Sequence, residues 1–116
     1  EAIKYMEKGI EKDPSNSQFW YIYAELLSKL GLNDDAKLAF SKVTELDPNN
    51  TEAWLDYSNL LYENKLVNEA TSIIERGLKE NNNNEDLRYR LVAYLLQKGD
   101  LENAKKNLKL ALPLIL

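Results

Sequence analysis

Apolar side chains recur every three or four residues over most of the chain, a spacing that places them on one face of an α-helix. The segment Ser17–Leu30 illustrates it, with Trp20, Ala24 and Leu27 at helical spacing. The pattern predicts an all-α protein of seven helices and no strand. The predicted helices are Glu1–Lys12, Ser17–Leu30, Asp34–Leu46, Thr51–Asn64, Val67–Glu80, Glu85–Lys98 and Leu101 to about Leu112.

Glycine and proline mark the ends of predicted helices. Gly31 ends the helix before it, and Asn33 or Asp34 is expected to cap the next helix with its side chain. Pro48 ends the following helix because it lacks a backbone N–H and restricts the residue before it.

An internal repeat with a constant period organises the whole chain. Its clearest columns are Ala2, Ala36, Ala70 and Ala104; Trp20 and Trp54; and Met6, Phe40, Ile74 and Leu108. The turn Asp13–Asn16 also recurs, as Asp47–Asn50. The repeat predicts the second helix of a truncated copy at residues 1–16 and full copies at 17–50 and 51–84. A C-terminal copy, complete or truncated, follows at 85–116.

The repeat columns also predict how the helices pack. The alanine column marks the closest approach of paired helices, so a larger side chain at Ala36 or Ala70 should overpack, at a cost of about 1–3 kcal/mol. Trp20 and Trp54 are predicted to fill the space between helices. Truncation of either to alanine should therefore cost about 3–5 kcal/mol.

Composition removes much chemistry from this chain of 116 residues. It contains no Cys and no His, which excludes disulfides, thiolate nucleophiles, zinc–thiolate sites and a Ser-His-Asp triad. Its four glycines form no phosphate-binding loop of the GxxxxGK or GxGxxG type. We therefore expect no catalytic residue, no cofactor and no metal, in a protein that is not an enzyme.

The charge balance bears on partners and location. The 15 basic and 19 acidic residues give a net charge of -4, which disfavours nucleic acid because backbone binding needs clustered positive charge. No apolar run approaches the length of a membrane span, and the first ten residues resemble an amphipathic helix rather than a signal peptide. Neither nucleic acid nor a membrane is an expected partner, and the lack of Cys predicts a cytoplasmic protein. The chain does not begin with Met and is expected to be a piece of a longer protein.

The repeat resembles the tetratricopeptide repeat (TPR) over essentially the whole chain. The residues that carry this resemblance at the family's bulky, alanine, phenylalanine and proline positions include Trp20, Ala36, Phe40, Pro48, Trp54, Ala70 and Ala104. Two positions depart from the family pattern, because Asn82 stands where proline is expected and Arg88 replaces the aromatic residue.

This resemblance implies a right-handed superhelical solenoid of antiparallel helix pairs, whose concave side is lined by the first helix of each pair. It also implies a non-catalytic scaffold for protein–protein interaction, which binds a partner peptide or protein segment in the concave groove. The residues at the family's groove positions that we consider as partner contacts are Tyr21, Glu25, Leu55, Asp56, Asn59, Tyr62, Asp86, Tyr89 and Arg90.

The charges in this groove bear on the kind of partner. Some TPR proteins grip the acidic C-termini of chaperones through a clamp of basic and amide side chains. Of the clamp positions here, only Arg90 fits, while Glu25, Asp56 and Asp86 would repel a carboxylate. The sequence therefore predicts a partner with basic and apolar side chains rather than an acidic chaperone tail.

Other interpretations of the same residues stay open. The column of Tyr21, Leu55 and Tyr89 is equally typical of packing between adjacent repeats, and exposed acids on helices usually form a solvated face. The apolar end of the chain, residues 108–116, is consistent either with self-association or with an artefact of truncation.

Two alternative functions also remain. The fragments from Trp20 to Tyr23 and from Trp54 to Tyr57 match the half-a-TPR repeat of RNA-processing assemblies, although the alanine column and Pro48 favour ordinary TPR. The other alternative is the regulatory or substrate-recruiting arm of a larger enzyme, whose catalytic part would lie outside this chain.

Overall fold

A computed structural model describes residues 2–111 of the protein, and seven α-helices account for most of them. They are α1 (Ala2–Lys12), α2 (Ser17–Lys29), α3 (Asn33–Leu46), α4 (Thr51–Glu63), α5 (Val67–Glu80), α6 (Glu85–Lys98) and α7 (Leu101–Ala111). Residues 2–111 contain no strand, so the predicted all-α class is confirmed. Every described helix end lies within one residue of its predicted position. Over the same residues, no helix combines the length and the apolar character that a bilayer span requires.

The chain divides into two compact units, Glu1–Ala53 (unit 1) and Trp54–Leu116 (unit 2). In unit 1, α2 packs against both α1 and α3. In unit 2, α6 packs against both α5 and α7. Helix α4 crosses the division, with its first three residues in unit 1 and the rest in unit 2.

The core of unit 1 is built on small residues that let α2 and α3 approach each other. Ala24 on α2 and Ala36 on α3 are fully buried. Phe40 is buried nearby, and its ring meets Tyr21 edge to face, with centroids 6.3 Å apart. Close packing of this kind leaves little room for a larger side chain in the alanine column.

Helices α1 and α2 are joined by a polar contact at their edge. The Tyr23 hydroxyl donates a hydrogen bond to Glu7 Oε2 at 3.1 Å. Burial raises the pKa of the Tyr23 phenol, and the hydrogen bond to the Glu7 carboxylate raises this pKa further. Because the folded state holds this proton more tightly than the unfolded chain, the associated stability is present at neutral pH. This stability is lost only as the pH rises above 10.0, the ordinary pKa of a tyrosine side chain.

In unit 2, the Trp54 side chain is part of the buried core and is 3% exposed. The indole lies over Gly77 of α5, where an added Cβ would come within 2.8 Å of Trp54 Cγ. The Arg76 guanidinium carbon lies 5.7 Å from the centroid of the same ring, at cation–π distance. The close packing of the Trp54 ring on α5 therefore requires a residue without a side chain at position 77.

The asparagine that ends each turn of the repeat caps a helix. Asn16 Oδ1 accepts hydrogen bonds from two backbone N–H groups at the start of α2, at 3.0 and 3.3 Å. Asn50 Oδ1 accepts from the Ala53 N–H at 3.1 Å, and Asn84 Oδ1 from the Leu87 N–H at 2.9 Å. These three asparagines occupy the same position in successive copies of the repeat, so the turn that stops one helix also starts the next.

The predicted capping of α3 by Asn33 or Asp34 is wrong. The N-cap is Leu32, which makes no side-chain capping hydrogen bond, and Asn33 is already the first residue of the helix. The cause is the tight turn at Gly31, whose left-handed φ of +79° leaves only one residue before α3 begins. Helix α5 starts in the same way, with Leu66 as an N-cap that lacks a side-chain hydrogen bond.

Lys65 occupies the left-handed position that glycine occupies in the other two hairpin turns. Its φ is +65°, compared with +79° at Gly31 and +81° at Gly99. A residue with a Cβ is strained in this conformation, whereas glycine is not. We expect Lys65→Gly to raise the free energy of unfolding by about 0.5–1 kcal/mol in urea denaturation followed by circular dichroism. Gly99→Lys should lower it, and a lower stability of Lys65→Gly would contradict the strain argument.

Candidate partner-docking surface

In unit 2, helix α4 has one buried face and one outward face. The buried residues are Trp54, Tyr57, Ser58, Leu60 and Leu61. The outward residues are Leu55, Asp56, Asn59, Tyr62 and Glu63, of which Asn59 and Glu63 are exposed and the rest half-buried. At about 100° per residue, these two sets fall on opposite sides of the helix. The outward side carries two carboxylates and no Lys or Arg.

Helix α6 turns an apolar stripe outward. Tyr89 is 42% exposed and Leu96 is 54% exposed, with the exposed Ala93 between them. Their spacing of four and then three residues puts the three side chains in one row. The exposed Asp86 and the half-buried Arg90 flank this row. The helix thus presents a seam of the kind that a partner's apolar side chains could cover.

Tyr94 of α6 contacts α4 through both its ring and its hydroxyl group. Its ring stacks on Tyr62 of α4, with centroids 5.1 Å apart and planes inclined by 16°. The Tyr94 and Ser58 hydroxyl oxygens lie 3.1 Å apart, and both residues are buried. The single hydroxyl hydrogen of Ser58 is donated to the Leu55 carbonyl at 2.9 Å, so Tyr94 is the donor to Ser58. The pair is thereby satisfied and fixes the Tyr94 ring.

This contact sets the outward faces of α4 and α6 side by side. Arg90 lies one turn before Tyr94 on the same side of α6. We call the combined surface the α4–α6 face. Its residues are Leu55, Asp56, Asn59, Tyr62, Glu63, Asp86, Tyr89, Arg90, Ala93 and Leu96. Seven of the nine residues predicted to contact a partner lie on it.

The other two predicted contacts, Tyr21 and Glu25, lie on α2 in unit 1. Glu25 is exposed, whereas Tyr21 is half-buried and packs against Phe40. Tyr21 and Phe40 belong to the same copy of the repeat, 17–50, so this contact does not test the predicted alternative of packing between adjacent repeats. Both residues stay predictions that rest on the family resemblance.

The repeat positions differ in burial from copy to copy. Ala36 and Ala70 are fully buried and Ala104 is 3% exposed, but Ala2 in the first turn of α1 is exposed. Phe40 is buried and Pro48 is half-buried. The two tryptophans, predicted to be equivalent, are not: Trp54 is buried, while Trp20 is half-buried.

Arg88 replaces the aromatic residue of the third copy and keeps one of its contacts. Trp20 Nε1 donates to the Pro14 carbonyl at 2.8 Å. Arg88 Nη2 donates to the carbonyl of Asn82, the counterpart of Pro14 two repeats later, at 3.0 Å. Its Nη1 also donates to Asn107 Oδ1 at 2.9 Å, which links α6 to α7. The departure from the family pattern is therefore accommodated by a charged side chain that makes the same bond to the turn.

Two residues of the site were missed in the sequence, although each left a signal. Ser58 places a hydroxyl in the column of the small Ala24, and Tyr94 stands where Leu26 and Leu60 stand in the preceding copies. Two polar groups in apolar columns of neighbouring helices indicate a buried hydrogen bond. Within residues 2–111, no group of three or more acidic side chains is placed to hold a metal ion. The apolar end predicted to self-associate lies, from residue 112 onward, outside the described residues.

Comparisons with solved structures support a TPR fold. A crystal structure of MamA superposes with a TM-score of 0.75 at 21% identity, over 96% of this chain and 65% of that one. YrrB, described as a TPR protein with an unusual peptide-binding site, gives a TM-score of 0.72 at 25% identity. That alignment covers 92% of this chain and 55% of YrrB, so the chain spans at most about two thirds of either protein. No curated protein matches the chain.

The family comparison covers nearly all of the sequence. The profile of the cytochrome c-type biogenesis protein H TPR domain matches residues 6–116. This match favours ordinary TPR repeats over the half-a-TPR alternative, and TPR arrays serve in general as scaffolds for protein–protein interaction. The chain belongs to the TPR family, and within it to the TPR domains of cytochrome c-type biogenesis protein H.

Proposed function

We propose that the α4–α6 face docks a protein segment with basic and apolar side chains, and that the chain acts without catalysis. The observation that carries the proposal is the pairing of two surfaces. An outward side of α4 with carboxylates and no cation lies next to an exposed apolar row on α6. Such a combination supports recognition of a segment with basic and apolar side chains rather than of an acidic segment.

The balance of charge on this surface sets the sign of the partner. Asp56, Glu63 and Asp86 are acidic, and Arg90 is the one basic side chain among the residues of the α4–α6 face. With three carboxylates and one cation, the α4–α6 face has a net negative charge, which favours a basic segment over an acidic one. The same excess of carboxylates argues against binding of an acidic chaperone C-terminus by the clamp mode.

The length of the apolar row on α6 sets the length of helix that a partner can place against it. Tyr89 and Leu96 are seven residues apart, about 10 Å along the helix axis, which matches two turns of a partner helix. A partner helix would place apolar residues at positions i, i+4 and i+7 on this row. Affinity from one such face alone is expected to be modest, on the order of micromolar.

Charge reversal on this face tests the proposal. The probe is an amphipathic peptide of Lys and Leu, about 15 residues long so that it can form a helix, together with a matched peptide of Glu and Leu. We expect the Lys peptide to bind more tightly, and Asp56→Lys with Asp86→Lys to weaken its binding about ten-fold or more in fluorescence titration. The same double variant should improve binding of the Glu peptide.

A matched control separates the face from net charge. Glu75 and Glu80 lie exposed on α5, away from the α4–α6 face, so Glu75→Lys with Glu80→Lys changes the net charge equally. Circular dichroism shows whether each variant is folded. Equal losses of affinity in the two double variants would refute the docking assignment and leave only a general charge effect.

Family membership supports a narrower proposal about the pathway. Since the matched family takes its name from cytochrome c-type biogenesis protein H, we propose a partner that takes part in the assembly of c-type cytochromes. Deletion of the gene that encodes this chain should then lower covalently bound haem in cell extracts. Normal haem staining in the deletion strain would count against this pathway but not against the docking surface.

A further inference from the structure

We infer that Tyr62 and Glu63 form a receptor for one lysine or arginine side chain of the docked segment. The inference rests on the proposed function of the α4–α6 face and assigns to it a defined subsite. The ligand is a cationic side chain, recognised by an aromatic ring and a carboxylate together.

The aromatic part of this receptor is held in place. The Tyr94 ring covers one side of the half-buried Tyr62 ring, at 5.1 Å between centroids. Tyr94 is itself 4% exposed and hydrogen-bonded to Ser58, so the stack rests on a fixed base. A ligand therefore reaches Tyr62 from the side opposite Tyr94, and little rotamer entropy is lost when a cation settles there.

The carboxylate lies on the same turn of α4. Glu63 is exposed, and Asn59 Nδ2 donates to its Oε2 at 3.4 Å, one turn back along the helix. The Asn59 amide leaves Oε1 to accept from a partner's ammonium or guanidinium group. Lys65 is the nearest cation along the chain, and in the described part of the molecule no ion pair joins it to Glu63.

A ring and a carboxylate together favour a cation over any other class of side chain. The face of a tyrosine ring attracts positive charge through its quadrupole, and the carboxylate adds an ion pair at the rim. An apolar side chain would gain only the ring, and an acidic one would be repelled by Glu63. The receptor would thus fix the register of a basic segment on a face whose other carboxylates act only through diffuse attraction.

Four single variants test this receptor with the Lys and Leu peptide as probe. We expect Glu63→Gln and Tyr62→Leu each to weaken binding about five- to ten-fold, and Tyr62→Phe, which keeps the ring, to change it less than two-fold. Glu80→Gln removes an equal charge away from the face and should change binding less than two-fold. Circular dichroism and the denaturation midpoint verify that Tyr62→Leu is folded.

A control on the same face separates the receptor from the wider docking surface. Asp86→Asn removes one exposed carboxylate from α6, so diffuse attraction predicts the same loss as Glu63→Gln. A clearly smaller loss for Asp86→Asn supports the receptor. Equal losses for the two variants, or equal binding by Tyr62→Leu and Tyr62→Phe, overturn the receptor while the docking face stands. Failure of the unaltered chain to bind the Lys peptide would overturn both.

Discussion

Replacing Trp54 with alanine should lower the free energy of unfolding by about 3–5 kcal/mol, the range for a large aromatic side chain removed from a core. The indole is 3% exposed and packs over Gly77, which has no side chain that could fill the vacated space. The substitution also removes the ring contacted by the Arg76 guanidinium at 5.7 Å. Because the surroundings cannot collapse onto a glycine, we place the loss in the upper part of that range.

Trp20→Ala provides the matched comparison, because Trp20 stands one repeat earlier at the same position of the pattern. Its indole is half-buried and makes one hydrogen bond, from Nε1 to the Pro14 carbonyl. The apolar area returned to water is smaller, so the loss should be about 1–2 kcal/mol. Nearly equal losses in the two variants would show that burial does not distinguish the two positions.

The two variants can be compared by fluorescence because of where the tryptophans lie. The chain has two tryptophans, one in each unit. In Trp54→Ala the remaining fluorescence reports on unit 1, and in Trp20→Ala it reports on unit 2. Urea titrations followed by both fluorescence and circular dichroism therefore show which unit loses stability. We expect the circular dichroism of Trp54→Ala to change at lower urea than its Trp20 fluorescence.

The helices could be predicted almost to the residue because their signals are local. Apolar periodicity within each segment and the turn residues between segments do not depend on distant parts of the chain. The constant period of the repeat then presents the same signal several times, which removes ambiguity about where each helix lies. The exception is the cap of α3, where the left-handed residue Gly31 shortens the turn by more than the sequence indicates.

The burial of each side chain was harder to predict, because identical residues at the same repeat position have different neighbours. Trp20 and Trp54 are identical in the sequence pattern. The column that faces them is not, since Val43 stands where Gly77 stands one repeat later. Gly77 lets the Trp54 ring settle against α5, whereas valine at the same repeat position carries a side chain. The difference between the two tryptophans was thus present in the sequence, but in a second column.

The candidate site shows the same division between local and tertiary information. Helical periodicity places Asp56, Asn59 and Tyr62 on the outward side of α4, as the family positions imply. The stack of Tyr62 on Tyr94 joins residues of two helices, and no periodicity within one helix indicates it. Contact of a partner with any of these residues stays a prediction until binding is measured.

Adding a single methyl group should have opposite effects at two helical glycines of the same repeat column. We expect Gly77→Ala to lower the free energy of unfolding by about 1–2 kcal/mol, because overpacking outweighs the gain in helix propensity. The new Cβ would lie 2.8 Å from Trp54 Cγ and 3.1 Å from Trp54 Cβ. These atoms are the root of a buried side chain, which cannot swing aside to make room.

Gly9→Ala should instead raise the free energy of unfolding by about 0.5–1 kcal/mol, the gain in helix propensity alone. A Cβ there would lie 3.6 Å from the ring carbons of Phe19, which is ordinary van der Waals contact and adds no overpacking. Both variants can be measured in one series of urea denaturation curves. The opposite signs follow only if the ring of Trp54 sits as close to α5 as the 2.8 Å distance requires. A gain in stability for Gly77→Ala would mean that the Trp54 indole does not pack against α5 at this distance.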